Sequence, residues 1–291
     1  MTDLDAPCIA PYEGRTYEIL EGLYLEYNRR EYVSPDPLEF LYYYDNAADR
    51  EVAGLLASSL AYGRVASILS SVRRVLGVAG PSPAAGLFEY ARRENSHDRM
   101  AESLGDFVHR FTACDEMARF LYGIGKALLV YGSLENLFME GMSLKPGTLC
   151  KPDAPRGKIL GAMEHFARII LNFAGLESSH LLPLPSKGSA CKRMALYVRW
   201  MARRDDVDPG GWNGVQACDI IVPLDTHMFR IATGLGFVKR KSADGIAAIQ
   251  ATEGFGKLRP DDPARYDFAL TRFGIRTGMS VEELLAKFKD A

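Results

Sequence analysis

Most of the chain spaces its apolar residues as an α-helix does. In residues 15–30, RTYEILEGLYLEYNRR, the side chains of Tyr17, Leu20, Leu23, Tyr24 and Tyr27 fall on one stripe, the pattern of a helix with one face turned inward. SPDP at 34–37 interrupts that pattern and can launch the next helix, with Leu38, Leu41 and Tyr42 inward. DREVAGLLASSLA at 49–61 predicts an apolar helix that stops at Tyr62-Gly63-Arg64, and another runs from Val65 to about Leu76, before GVAGPSP. Further helices are predicted over 100–111, 114–130, 133–140, 156–174, 189–203, 226–235, 242–252, 263–273 and 280–288. Strand-like alternation is nearly absent: DIIVPL at 219–224 is the one β-like run, and it is short and ends in proline. The expected fold is all-α. There is no internal repeat, and the longest loop, GMSLKPGTLCKPDAP at 141–155, is the candidate mid-chain hinge.

Composition narrows the class of protein. With 291 residues, 47% of them hydrophobic, the chain can bury a core in one large domain or two lobes. A net charge of −2 provides no global basic field, so a nucleic-acid role must rest on a local patch. One stretch qualifies: LPSKGSACKRMALYVRWMARR, 184–204, holds Lys187, Lys192, Arg193, Arg199, Arg203 and Arg204 and no acid. The five cysteines, at 8, 114, 150, 191 and 218, include no C-x-x-C pair, so no disulfide framework, zinc site or iron–sulfur site is signalled. MTDLDAPC lacks the basic and apolar regions of a signal peptide, and no apolar run reaches about 18 residues. The expectation is a reduced, soluble, cytoplasmic protein with no membrane partner.

A tight turn before a helix presents backbone amides to an anion. Gly188 would let a phosphate approach, and Ser189 and Ala190 keep the path open, while the six cations would pair with a nucleic-acid backbone, fixing position without reading sequence. Periodicity supports a plainer alternative, a surface helix with Ala190, Met194, Tyr197, Val198 and Met201 inward and Lys192, Arg199 and Arg203 solvated opposite. Downstream, VPLDTHMFRIATGLGF at 222–237 places Asp225 just ahead of a helix, where a helix N-cap is reason enough for it. His227 would be a polar residue of the first turn.

Taken together, a turn-then-helix carrying a lysine, followed by Asp-x-His at the start of the next helix, resembles the helix-hairpin-helix DNA glycosylase superfamily. PLDTHMFRIA is similar to the Pro-Val-Asp-Val-His-Met stretch of its 8-oxoguanine glycosylase/lyase branch. LLASSLAYGRVASI at 55–68 is similar to the helix–loop–helix whose loop enters the duplex, and DPARYDFALTRFGI at 262–275 falls where that family lines its base pocket. The resemblance spans about residues 45–275. The whole chain is also similar to an uncharacterised, mostly bacterial family regarded as a relative of these glycosylases.

The resemblance implies a single two-lobed helical unit over 1–291 with the cleft between lobes. About 50–180 would form a central helical lobe, about 1–49 with 205–291 the second, and 181–204 the hairpin and basic helix at the interface. It implies Lys192 as the nucleophile and Asp225 as the catalytic carboxylate. DNA contacts would come from Lys187, Gly188, Ser189, Ala190, Arg193, His227, Tyr62, Gly63 and Arg64, with Tyr62 or Arg64 as the wedge. Tyr266, Asp267 and Phe268 would face the extruded base. Periodicity alone would make 62–64 an ordinary helix–helix turn and the two aromatics core. The partner would be double-stranded DNA carrying a damaged base, met at the bacterial nucleoid. No cofactor is implied, although the family's hairpin admits a monovalent cation.

Several positions depart from the family. Gly188-Ser189-Ala190 replaces Gly-Val-Gly, which alters the cation site. DDVDPGGWNGVQACD lengthens the stretch between Lys192 and Asp225, and Trp212 is expected to pack it down. The four-cysteine iron–sulfur loop of a sister branch is absent. Phe268 stands where the 8-oxoguanine branch has a base-reading glutamine, so a different lesion is expected.

The chemistry needs these residue types. Breaking a base–sugar bond builds positive charge on the sugar, which a fixed carboxylate stabilises. A neutral amine attacking the sugar carbon gives an imine from which the 3′ phosphate leaves; burial and a neighbouring cation favour a neutral amine. The base must first be extruded and its gap filled. The alternatives are a glycosylase acting by hydrolysis, with Lys192 only binding phosphate; a non-catalytic DNA- or RNA-binding protein; and a helical scaffold with no nucleic-acid role.

Overall fold

A computed structural model of the chain describes residues 11–93, 96–144, 156–276 and 278–289. Helices make up nearly all of its regular structure: α1 (Pro11–Tyr27), α2 (Ala47–Ser59), α3 (Val65–Ala79), α4 (Pro83–Ala91), α5 (Ser96–Leu104), α6 (Cys114–Tyr131), α7 (Leu134–Ser143), α8 (Gly157–Phe173), α9 (Lys192–Ala202), α10 (Thr226–Gly234), α11 (Gly245–Leu258), α12 (Asp267–Ile275) and α13 (Val281–Lys289). The fold is mostly helical, as the spacing of apolar residues requires. Of the expected hinge at 141–155, residues 141–143 end α7 and 145–155 lie outside the described residues.

Short polar side chains set many helix starts. Asn46, Ser133, Asp225 and Asp244 cap α2, α7, α10 and α11, each accepting from the amide three positions on, which satisfies one of the free N–H groups of a first turn. Buried Glu51 of α2 accepts from the Leu134 and Glu135 amides and from Trp212 Nε1 at 2.9, 3.1 and 2.8 Å. Trp212 does pack the 205–219 insert down: it is 3% exposed, its ring 5.1 Å from those of Phe138 and Tyr197.

Three local expectations change. The helix expected over 100–111 stops at Leu104, because Gly105 turns at φ +56 and the apolar Phe107 is drawn into the core. The chain then makes a tight hairpin, β1 (Val108–His109) antiparallel to β2 (Thr112–Ala113). DIIVPL forms no strand: Asp219 ends a 3-10 turn, and 220–224 is a buried extended connector whose Val222 amide donates to Thr252 Oγ1 (3.0 Å) where a neighbouring strand would otherwise accept. The unexpected helix is α4, which starts at Pro83, a residue suited to a first helical position. Its start is tied to Asp49 through Ser82 Oγ and the Ala84 amide, both at 2.9 Å.

Packing divides the helices into two sets. α6 lies on α4, α5 and α8, and α7 on α8; α1 and α10 each pack on α12 and α13, and α10 also on α11. α9 joins them, packing on α2 on one side and reaching α12 through an Arg199–Asp267 ion pair on the other.

Candidate functional site

A cleft of about 920 Å³ opens at this junction, walled by Phe111 and parts of 35–37, 61–68, 180–200, 223–227, 243–244 and 267–275. The turn ahead of α9 forms one wall. Glu164 of α8, fully buried, accepts from the Ser186 amide (2.9 Å) and the Ser186 hydroxyl (2.8 Å), which holds the turn against the first set of helices. Gly188 takes the left-handed conformation at φ +78, donates its amide to the Pro185 carbonyl and accepts from the Gly245 amide, both at 2.9 Å. The Gly188 amide, expected to face an anion, is thus engaged within the turn. Gly188, Ser189 and Ala190 all line the cleft, whereas Lys187 is exposed outside it.

Lys192 opens α9 and Asp225 caps α10, and the two meet in the cleft with Nζ 3.8 Å from Oδ2. The cap and the ion pair use different oxygens: Oδ1 accepts from the Met228 amide at 2.7 Å, leaving Oδ2 toward the lysine. The Lys192 side chain is 35% exposed and that of Asp225 16%, so the amine is reachable from solvent instead of buried. Beside them His227 packs against α12 at Gly274, where an added Cβ would come within 2.1 Å of its Nδ1. Arg193, also in the cleft, donates to the His180 carbonyl and holds its guanidinium 4.7 Å over the Tyr62 ring; burial lowers its pKa.

Tyr62 and Gly63 reach the cleft, and Arg64 is exposed beside it. The Tyr62 hydroxyl donates to the His109 carbonyl (3.1 Å) and shares a hydrogen bond with Thr112 Oγ1 (2.8 Å). His109 returns the contact. Its Nε2 lies 3.0 Å from the Tyr62 carbonyl, which can only accept, so Nε2 carries the proton and Nδ1 accepts from Ser71 Oγ at 2.9 Å. Burial pushes the His109 pKa below its usual value, which favours this neutral form.

The remaining cations correct the sequence expectation. Arg199 and Arg203 are neither solvated nor free for phosphate: they are 2% and 5% exposed. Arg199 donates to Asp208 (3.0 Å from Nη2) and pairs with Asp267; Arg203 pairs with Asp205 (2.8 Å), Asp262 (2.9 Å) and Asp208. A helix that carries no acid of its own finds them all on other segments. Arg204 is exposed outside the cleft. Of the expected base pocket, Asp267 and Phe268 line the cleft, while Tyr266 does not: it is 1% exposed in the core and its hydroxyl donates to Glu21 at 2.7 Å. Burial, opposed by Arg199 and reinforced by Asp225 and Asp208, pushes the Asp267 carboxyl up to about 6.

Trp200, Arg272, Phe111 and His180 also line the cleft and were not anticipated. Arg272 sets its guanidinium 4.0 Å over the Phe268 ring. A signal for Trp200 existed: Leu196, Arg199 and Trp200 follow Lys192 at helical spacing, and all four line the cleft. Nothing local in the sequence brings Phe111 or His180 there, since they come from a turn and a loop that meet only in the fold.

Among the described residues, no group of three or more His, Cys, Asp or Glu side chains is placed to hold a metal ion, and no helix is long and apolar enough to cross a membrane. Fold and site together define a mostly helical protein with a lysine–aspartate pair in an open cleft of mixed polarity. Residues 36–276 match the family described as protein of unknown function (DUF2400), and the chain belongs to that family. No curated protein and no solved structure matches it.

Proposed function

We propose that this protein is a DNA repair glycosylase with an associated lyase step, acting on a damaged base in double-stranded DNA. The observation that carries the reading is Lys192 Nζ lying 3.8 Å from Asp225 Oδ2 inside the cleft, from two elements far apart in sequence. In this reading the Lys192 amine bonds to the sugar carbon while the base–sugar bond breaks and its electron pair leaves with the base. The Asp225 carboxylate stabilises the positive charge that builds on the sugar. Opening of the sugar ring at the C1′–O4′ bond, with the nitrogen giving up a proton and the ring oxygen taking one, converts this adduct to an imine, and loss of a 2′ proton then expels the 3′ phosphate by β-elimination. The helices of about 50–180 form one lobe and 205–291 with the N-terminal segment the other, as in the helix-hairpin-helix glycosylases, with DNA lying across the 184–193 turn. The protein works in the cytoplasm at the nucleoid, and the chemistry requires no cofactor.

The test is borohydride trapping on a panel of single-lesion and abasic duplexes. The expected result is a covalent adduct lost in Lys192→Gln. Base release without an adduct assigns hydrolysis, with Asp225 activating water. No product from any duplex, together with unchanged DNA affinity in Asp225→Asn, assigns a binding protein. No salt-sensitive DNA affinity at all leaves a helical scaffold.

A further inference from the structure

We infer that the tip of the 108–113 hairpin, Phe111 with Arg110, is a wedge that enters the base stack of duplex DNA beside the cleft; the inference rests on the DNA reading above. Phe111 lines the cleft yet is 67% exposed, and Val108 on the same hairpin is equally so. A single exposed apolar residue is ordinary, but Phe111 and Val108 together expose apolar surface on one short hairpin, the kind of contiguous patch that marks an interaction surface. Its ring lies tilted against His180, centroids 5.4 Å apart, and the Arg110 guanidinium sits 5.5 Å from its centre. Among the described residues no salt bridge joins Arg110 to a carboxylate, so its guanidinium beside the Phe111 ring is available to phosphate, whereas Arg193 is engaged by the His180 carbonyl and the Tyr62 ring.

The turn is also strained and braced. Arg110 holds φ +54 at the first position of a two-residue hairpin loop, a left-handed conformation that residues other than glycine and asparagine adopt rarely. Such strain persists where surrounding structure imposes it, and it concentrates at functional sites. Here the bracing is explicit: Tyr62 bonds to His109 and Thr112, and His109 bonds back to Tyr62 and to Ser71 of α3. Tyr62, the wedge implied by the resemblance, is therefore held in place by the hairpin and by Arg193 over its ring, and it acts as the strut behind the tip. An apolar side chain thrust between base steps from a rigid element is a recurrent way to unstack a duplex, and stacking on a base contributes affinity without reading its identity.

The test measures binding to a duplex with a single tetrahydrofuran gap opposite 2-aminopurine, and to the gap-bearing strand alone. Wild-type protein should prefer the gapped duplex and change the 2-aminopurine fluorescence. Phe111→Ala, at an exposed position that leaves the core untouched, should lose about tenfold in duplex affinity. It should lose the fluorescence change and keep its single-strand affinity, and Phe111→Trp should restore both losses. Wild-type-like duplex affinity and fluorescence in Phe111→Ala, with salt-sensitive binding intact, overturns the wedge and leaves the glycosylase reading standing. Absence of salt-sensitive binding to either DNA by the wild type overturns that reading and the wedge with it.

Discussion

Two basic residues on one helix should behave in opposite ways when their charge is removed. Arg199 is 3% exposed at its side chain, and its partners Asp208 and Asp267 are 0% and 3% exposed. Arg199→Leu keeps an apolar stem but leaves Asp267 buried with no cation on it, and Asp208 with Arg203 alone. Breaking a buried pair by removing one partner costs about 3–5 kcal/mol, chiefly through the orphaned charge. Lys192, 35% exposed and 3.8 Å from its partner, makes an ion pair of the kind worth at most about 1 kcal/mol. Urea unfolding followed by circular dichroism at pH 7.5 separates the two: Arg199→Leu should lower the midpoint strongly with the slope unchanged, and Lys192→Leu should barely move it. Because the cost lies in the orphaned carboxylate, adding Asp267→Asn to Arg199→Leu should recover part of the loss. The wild type has its own pH signature. Asp267 holds its proton up to about 6 in the fold but only to about 3.9 unfolded. Its contribution is full below about pH 4 and is lost as pH rises toward 6, and Asp267→Asn should flatten that slope. A loss below about 1 kcal/mol for Arg199→Leu, or no recovery in the double variant, would refute the view that α9 is anchored by this network.

Three further outcomes follow from named contacts. Asp225→Asn keeps an acceptor for the Met228 amide and should leave stability nearly unchanged, whereas Asp225→Ala should lose about 1 kcal/mol of cap; on the proposed glycosylase reading both variants should also lose base release, and equal base release in wild type and Asp225→Asn would reduce Asp225 to a cap. Gly274→Ala places a methyl 2.1 Å from His227 Nδ1 and should cost about 1–3 kcal/mol by overpacking, an effect that thermal melts should show largely relieved in Gly274→Ala/His227→Ala. His109 is held neutral with its pKa lowered, so the unfolded chain binds its proton first and stability should fall as pH drops below about 6.5. His109→Gln should remove that acid-side loss, and an unchanged slope in chemical denaturation across pH 5–7 would show that another group titrates there.

How far the sequence could be read depended on whether the deciding interaction was local. α6 and α8 were legible because an apolar stripe at helical spacing needs only its own residues, and α2 because a mostly apolar run bounded by Gly63 reads as a buried helix. Asp225 was legible as a cap for the same reason, and its meeting with Lys192 came from the paired motifs. The 100–111 segment misled because its apolar residues also suit a helix; Gly105 and the burial of Phe107 and His109 decide for the hairpin, and that burial is tertiary. Arg199 and Arg203 misled most. A basic face opposite an apolar stripe reads as solvated, yet Asp205, Asp208, Asp262 and Asp267 arrive from other segments to cover it.

That covered face bears on the site itself. Lys192 sits on α9 and Asp225 caps α10, and the two meet through the 3.8 Å ion pair without a hydrogen bond between them, so their separation is set by what holds the two helices. α9 is locked to α12 through Arg199–Asp267 and to the 205–208 insert through Arg203 and Asp208, and α10 packs directly on α12. α12 is thus the common reference for both members of the pair. The insert that lengthens the path from Lys192 to Asp225 supplies two of the aspartates that clamp α9. Rigid support of this kind matters for chemistry, because a site held by locked neighbours reacts without first having to order itself. Arg199 in the cleft wall and Arg203 outside it, two cations that sequence alone assigned to phosphate, therefore serve to keep one lysine opposite one carboxylate.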